Sequence, residues 1–343
     1  MRTDGLFLAG LGLHLPAVTP VSSAVREGWY SAEECEASGW TGAAVAGSLS
    51  APDLAVLAAR QAVERSGLSG DDFAIVVHAC TYHQGLEGWI APTYVQRHTI
   101  GGTAPAIEVR GTCTAALSAM EIAYCYLSTS DRSAALISCA DNFSGPQMDR
   151  WRYAAGAGTN RLSIFGDAGT AVVLSRRTGF ARVLAVGSAS LPEFEEMYRG
   201  DVPLYPPQCT IGEPVRIGAR IAEFTRRAPA VVRRARAEIT EARTQLAKRT
   251  LEEAGISAAD VTRVTHVFSG GEPYIRSVLD PLGIDPSLGV LEFGRGVGHL
   301  GASDHFAALH HLLETRQLSS GDRILMLGNG VGVTLACAVL EIV

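Results

Sequence analysis

The 343-residue chain has one lysine, Lys248, so arginine supplies nearly all of its basic charge. That bias belongs to genome composition and carries no function. Positive charge is short overall. The 29 Lys and Arg face 35 Asp and Glu, a formal net charge of −6, which argues against the basic surface of a general nucleic-acid binder. No apolar run reaches the ~18 residues of a membrane helix. The opening MRTDGLFLAGLGLHLP has no basic segment ahead of its apolar one and is broken by Pro16, so no secretory leader is expected. A cytoplasmic protein is the expectation. Seven cysteines lie scattered, with no CxxC pair and no zinc spacing, which argues against a disulfide framework or a structural metal. What the chain does have is apolar mass: 47% hydrophobic residues, ample for a large two-part core.

The chain repeats itself. Glu64, Gly67, Ser69, Asp72, Val76 and His78 match Glu252, Gly255, Ser257, Asp260, Val264 and His266 at a constant offset. Each copy reads as a helix end with a glycine stop, a polar turn and a β-branched strand. LSTSDRSAALIS around Asp131 likewise resembles LSSGDRILMLGN around Asp322. Two α/β halves follow, residues 1–177 and 178–343, too long for solenoid repeats. Strands are expected at Phe7–Leu13, Phe73–Ala79, Ala106–Val109, Ala134–Cys139 and Thr170–Ser175, then Val183–Ser188, Val264–Phe268, Gly289–Phe293, Ile324–Leu327 and Thr334–Glu341. Helices are expected at Ala51–Ser66, Trp89–Thr99, Cys113–Ser128, Ala219–Ala254, Tyr274–Leu282 and Ser303–Thr315. The stretches Leu191–Pro214 and Ser144–Ser163 read as loop insertions, lids or pocket walls.

Cys113 stands apart from the other cysteines. In EVRGTCTAALSAMEIAYCYL it falls between a strand and a helix, where the helix dipole and free N–H groups favour a thiolate. Thr112 and Thr114 flank it with hydroxyls able to cap the helix. A buried small residue at a strand–helix junction explains the local pattern equally well. GHLGASDHFAALHH gathers four histidines and Asp304. His310 and His311 point about 100° apart on a helix and do not share a metal easily, so no metal site is expected there.

RGTCTAALSAMEIA, SAALISCAD, FGDAGTAVVL and GNGVGVTLACAVL, in this order, resemble the landmarks of the ketoacyl synthase III branch of the thiolase superfamily. The resemblance implies an α/β thiolase fold, a duplicated five-layered αβαβα architecture, a homodimer, and Cys113 as nucleophile. It also departs from the family. Condensing members carry a histidine in an HQAN-like motif and a later asparagine. Here VFSGGEPYI puts Ser269 or a neighbouring glycine at the first position, and VGHLGASD puts His299 at the second. His266, inside its strand, reads as structural. The resulting set, Cys113, His299 and Asp304, is similar to that of ketosynthase-like acyltransferases of antibiotic and polyketide pathways. A histidine beside Cys113 can take the thiol proton and later that of the acceptor. The turn LGAS could return Asp304 to orient it.

The same resemblance implies an oxyanion hole from the N–H groups of Cys113 and Val331, although a tight glycine turn explains GNGVG as well. It implies an acyl pocket closed by Trp89, then Ile90, from the neighbouring subunit, with Ser269 in the pocket. A large indole there points to a short or aryl acyl group. WTGAAVAGSLS, Trp40–Ser50, lacks the basic residues with which relatives meet coenzyme A. The expected donor is therefore a phosphopantetheine thioester on an acyl carrier protein, with no other cofactor. Arg216, Arg220, Arg226, Arg227, Arg233, Arg234 and Arg236, with Arg276, could dock the acidic carrier, or simply form a solvated helix face. The expected activity is acyl transfer to a hydroxyl, an amine or a second carrier thiol. A decarboxylating condensing enzyme, a thioester hydrolase and a non-catalytic ketosynthase-like dimer partner are the alternatives.

Overall fold

The two repeated segments fold alike. Gly67 and Gly255 take left-handed φ of +65° and +72°, each donating its N–H to the repeated glutamate, Glu64 or Glu252. Ser69 and Ser257 then pair reciprocally with Asp72 and Asp260 in capping boxes that set the direction of the following strand. The computed structural model describes residues 1–155, 164–207, 212–268 and 271–343.

The strands are β1 (Arg2–His14), β2 (Val18–Pro20), β3 (Gly42–Ala44), β4 (Phe73–Cys80), β5 (Ala106–Arg110), β6 (Ala134–Asp141), β7 (Ala168–Ser175), β8 (Ala181–Ser190), β9 (Arg263–His266), β10 (Arg323–Gly330) and β11 (Thr334–Ile342). The helices are α1 (Val21–Arg26), α2 (Ala32–Ser38), α3 (Ala51–Ser66), α4 (Ala91–His98), α5 (Ala115–Leu127), α6 (Glu196–Arg199), α7 (Ile217–Arg227), α8 (Pro229–Glu253), α9 (Glu272–Leu279), α10 (Leu291–Val297) and α11 (Asp304–Glu314). The main sheet runs β5-β4-β6-β7-β1-β8-β11-β10-β9, and β2 pairs with β3. Its halves mirror each other: β4, β6, β7 and β1 correspond to β9, β10, β11 and β8, and antiparallel β1–β8 joins them. The division at 177/178 lies between β7 and β8.

Five layers result. Between the half-sheets lie α5 and α11, whose Leu117, Met120, Phe306 and Leu309 share one core with Ile75 and Ile137 on one side and Met326 and Leu340 on the other. Outside, α3 covers the first half and α8 with α9 the second. The backbone of α3 lies directly on β1, because a Cβ at Gly10 or Gly12 would strike the carbonyl of Ala62 or Ala58.

Three expectations fail. Gly289–Phe293 forms no strand; α10 follows instead and packs on β3, so β5 has no counterpart in the second half. The helix expected over Ala219–Ala254 is two, because Pro229 lacks an N–H and opens α8 at its N1 position. Thr112 and Thr114 do not cap α5: Thr114 Oγ1 donates to the Gly111 carbonyl at 2.9 Å, and Thr112 Oγ1 accepts from Val331 N. No described helix is long and apolar enough to cross a membrane.

Candidate active site

Cys113 sits in the 3-10 turn Thr112–Thr114 between β5 and α5. Thr112 takes φ +52°, an uncommon conformation for a β-branched residue. The β10–β11 hairpin braces it: Gly330 lies so close that a Cβ there would meet Thr112 Oγ1 at 2.5 Å. Local strain at Thr112 thereby turns the next side chain, Cys113, into a cavity of about 540 Å³.

His299 reaches the thiol from the other half. Its Nε2 lies 3.0 Å from Cys113 Sγ, and its Nδ1 lies 2.7 Å from Asp304 Oδ2. Backbone bonds fix its position: His299 N donates to Ile164 O at 2.8 Å, and Gly166 N donates to His299 O at 3.0 Å. Phe165 stacks on the imidazole at 5.2 Å. The buried pair Arg150–Asp167 (2.8 Å) secures this segment, with Arg150 Nη1 donating to Phe165 O.

Asp304 is fully buried at the start of α11, where the helix dipole favours a carboxylate. Its Oδ1 accepts from Leu300 N and its Oδ2 from Phe268 N, both at 2.7 Å, besides the imidazole. The LGAS turn thus folds back and closes on Asp304. Burial by itself would depress the His299 pKa, but the charges of Asp304 and Cys113 and hydrogen bonds to both hold it well above its ordinary value. Burial pushes the Cys80, Cys139 and Cys337 thiols up, leaving them protonated and inert.

One participant was missed in the sequence. Asp141, fully buried at the end of β6, accepts from Thr81 N and Oγ1 at 2.8 Å, from Gln84 Nε2 at 3.3 Å and from Ala302 N at 3.0 Å. It ties the His299–Asp304 turn to the loop after β4. Gly301, at φ +61°, makes this approach possible, since a Cβ would collide with Asp141 and Thr81. Burial pushes the Asp141 pKa up to about 7. An acid closing an apolar strand in ISCAD, and the glycine in LGASD, are the sequence signals.

Other candidates are placed differently. The Val331 N–H lines the cavity but is directed at Thr112 Oγ1, 3.2 Å away, so as an oxyanion donor it would need that hydroxyl to turn aside. Trp89 packs edge-on against Tyr94 at 5.8 Å and Ile90 is exposed; neither lines the cavity of its own chain. Ser269 lies outside the described residues, as do parts of the two loop insertions, although Tyr153 and Tyr198 from those insertions line the cavity. Trp40 is buried in the core beside β3.

Among the arginines, Arg216 pairs with Asp149, Arg227 with Glu196 and Asp201, Arg234 with Glu238, and Arg276 with Glu272. Arg226 and Arg233 are exposed without an ion pair among the described residues, Arg220 is half-buried on α7, and Arg236 lines the cavity. His266 holds backbone, with Val267 O at its Nδ1 and Val290 N donating to its Nε2. His311 stacks on Phe293 at 4.2 Å and His310 meets Arg65. No metal-ligating cluster occurs among the described residues.

Two family models match: 3-oxoacyl-(acyl-carrier-protein) synthase III over residues 107–191 and its C-terminal counterpart over 251–342. Among solved structures, ChlB3, described as an acyltransferase, is 41% identical with a TM-score of 0.90, covering 98% of both chains. The synthase III of Aquifex aeolicus VF5 is 20% identical with a TM-score of 0.77 over 98% of this chain and 99% of its own. That of Pseudomonas aeruginosa PAO1 is 21% identical with a TM-score of 0.77, over 99% and 100%. These likenesses identify the five layers as a thiolase fold. No curated protein sequence matches the chain.

Proposed function

Since this chain belongs to the 3-oxoacyl-(acyl-carrier-protein) synthase III family, we propose that it uses the fold for acyl transfer without decarboxylation. In this reading a short or aryl acyl group passes from a carrier-protein thioester, through acyl-Cys113, to a hydroxyl, an amine or a second carrier thiol in secondary-metabolite (polyketide) assembly. One observation carries it: the hydrogen-bonded chain Cys113–His299–Asp304, with a histidine where condensing relatives have asparagine. The 41% identity to ChlB3 supports the same reading.

The Cys113 thiolate attacks the thioester carbonyl, and the tetrahedral oxyanion collapses by breaking the C–S bond to the arm. His299, as imidazolium, gives its Nε2 proton to the departing thiolate. Acylation also removes the thiolate charge that helped to raise the His299 pKa. The neutral imidazole that remains is the form needed to take a proton from the acceptor as it attacks the acyl-cysteine. Collapse of the second tetrahedral species expels Cys113 as thiolate beside a renewed imidazolium. Asp304 keeps the ring in the tautomer that points Nε2 at sulfur throughout.

Dimerisation fits the edge strand β5, where Ile107 is exposed, and Leu86 and Ile90, exposed just before α4, which packs on β5. In that arrangement Trp89 and Ile90 enter the partner's acyl pocket. Arg226 and Arg233 are the arginines best placed to meet an acidic carrier. The test is intact-mass detection of acyl-Cys113 after incubation with acyl carrier protein, followed by malonyl carrier protein, a second carrier or water. Transfer to a carrier is expected; carbon dioxide release with a β-ketoacyl product would sink the proposal.

A further inference from the structure

The cavity at Cys113 is cationic, although the chain as a whole is acidic. Arg236 and Arg243 both line it, and no aspartate or glutamate does among the described residues. The two arginines lie seven residues apart on α8 with Thr240, also a lining residue, between them at the fourth position. At about 100° per residue these three positions fall within one narrow face of the helix. Arg243 is only 5% exposed, and its Nη2 donates to the Ser277 carbonyl at 2.7 Å. Keeping a guanidinium so far from water is costly unless oxygen acceptors surround it. Ser277 and Tyr274 of α9, lining the same wall, add further polar atoms. Cys113 and His299 enter the cavity from other elements, the start of α5 and the turn before α11.

We propose that Arg236, Thr240 and Arg243 form an anion subsite that holds a phosphate or carboxylate of the thioester ligand while its carbonyl lies at Cys113. The subsite deepens the acyl-transfer reading and rests on it for the identity of the ligand. An anion there offsets two like charges on one helix face and offers them charge-assisted, bidentate bonds. Two groups could supply it: the phosphate of a phosphopantetheine arm, or a carboxylate on the acyl group.

The experiment is calorimetric titration of the Cys113→Ala protein with two ligand pairs that differ only in the anion. One pair is phosphopantetheine against pantetheine; the other is succinyl against butyryl N-acetylcysteamine thioester. The anionic member of one pair is expected to bind at least about tenfold tighter, and that pair names the source. The preference should vanish in Arg236→Gln and Arg243→Gln and weaken steeply with salt. Arg243→Lys, which keeps the charge, should retain part of it. Equal binding within both pairs overturns the subsite, as does a preference that survives in Arg236→Gln and Arg243→Gln. Should Arg243→Gln fail to fold, Arg236→Gln and Arg243→Lys decide the matter. Acylation of Cys113 in the native protein is read separately. An anion preference without acylation refutes acyl transfer and leaves the subsite standing, whereas acylation without a preference does the reverse.

Discussion

Replacing Asp304 by asparagine changes one atom of a side chain that receives three donors. Oδ2 takes Phe268 N–H and the His299 Nδ1 side at 2.7 Å each, and Oδ1 takes Leu300 N–H at 2.7 Å. An amide has one oxygen. If it occupies the Oδ2 position, its NH₂ faces the Leu300 N–H, and a buried donor is left unmatched at a cost of about 1–3 kcal/mol. If it occupies the Oδ1 position, the NH₂ faces both Phe268 N–H and the imidazole. His299 then moves its proton to Nε2, points N–H at sulfur and ceases to be a base. The variant is therefore expected to be destabilised by about that 1–3 kcal/mol and to form acyl-Cys113 about three to four orders of magnitude more slowly.

The sign of the pH effect follows from the same geometry. Asp304 is among the charges that raise the His299 pKa, so its loss makes the imidazolium easier to deprotonate. The His299 ring, followed by its NMR chemical shifts, should therefore titrate at lower pH in the variant. The NMR titration and single-turnover loading by intact mass read the two effects independently. An unshifted His299 titration together with native loading would refute the proposed role of Asp304. His299→Ala, which removes the base itself, is expected to impair transfer more than Asp304→Asn.

Other perturbations reach the frame around the site. Gly301→Ala should lose at least the ~1–2 kcal/mol of a left-handed backbone residue, and the collision with Asp141 and Thr81 should slow acylation; a native melting temperature and native loading would contradict it. His78 and His305 are buried, and burial lowers each to a pKa of about 4 from 6.5. The unfolded chain therefore takes up protons first, and stability falls as pH drops from 6.5 towards 4, by up to about 1.4 kcal/mol per pH unit for each histidine. Urea titrations across that range should show this slope, and His78→Asn should flatten it. Ile107→Glu should shift the mass measured by light scattering from dimer to monomer; an unchanged mass places the interface elsewhere. Arg226→Glu with Arg233→Glu should raise KM for a carrier-protein donor about tenfold, with little effect on a small thioester; an equal effect on both would remove docking from this face.

Several of these features were legible in the sequence because they obey local rules. The repeated Ser69/Asp72 and Ser257/Asp260 turns close within four residues, and Cys113 lies where an apolar strand gives way to helical spacing. The His299–Asp304 contact was foreseeable because LGAS is a short turn with a glycine able to take positive φ. What could not be read depends on distant partners. The stretch after Gly289 has strand-like residues, yet Val290 N bonds His266 Nε2 and α10 packs on β3. Arg236 reads as one more solvated arginine, and it is exposed in the fold, yet it also lines the cavity that α7, α8 and α9 help to wall. Asp141 bonds Thr81, 60 residues before it, and Ala302, 161 residues after it, a link no spacing rule reveals.

The proposed nucleophile heads α5 in one half of the duplicated fold, while the proposed base and its carboxylate precede and open α11 in the other. The halves are covalently joined only through the link between β7 and β8. With those roles, catalytic competence becomes a report on quaternary-like assembly within one polypeptide. Cut at residue 178 and expressed as two fragments, neither piece would hold the Cys113–His299 contact. Acylation of Cys113 would then rise only as the fragments re-form the β1–β8 seam, giving a chemical readout of docking between the halves.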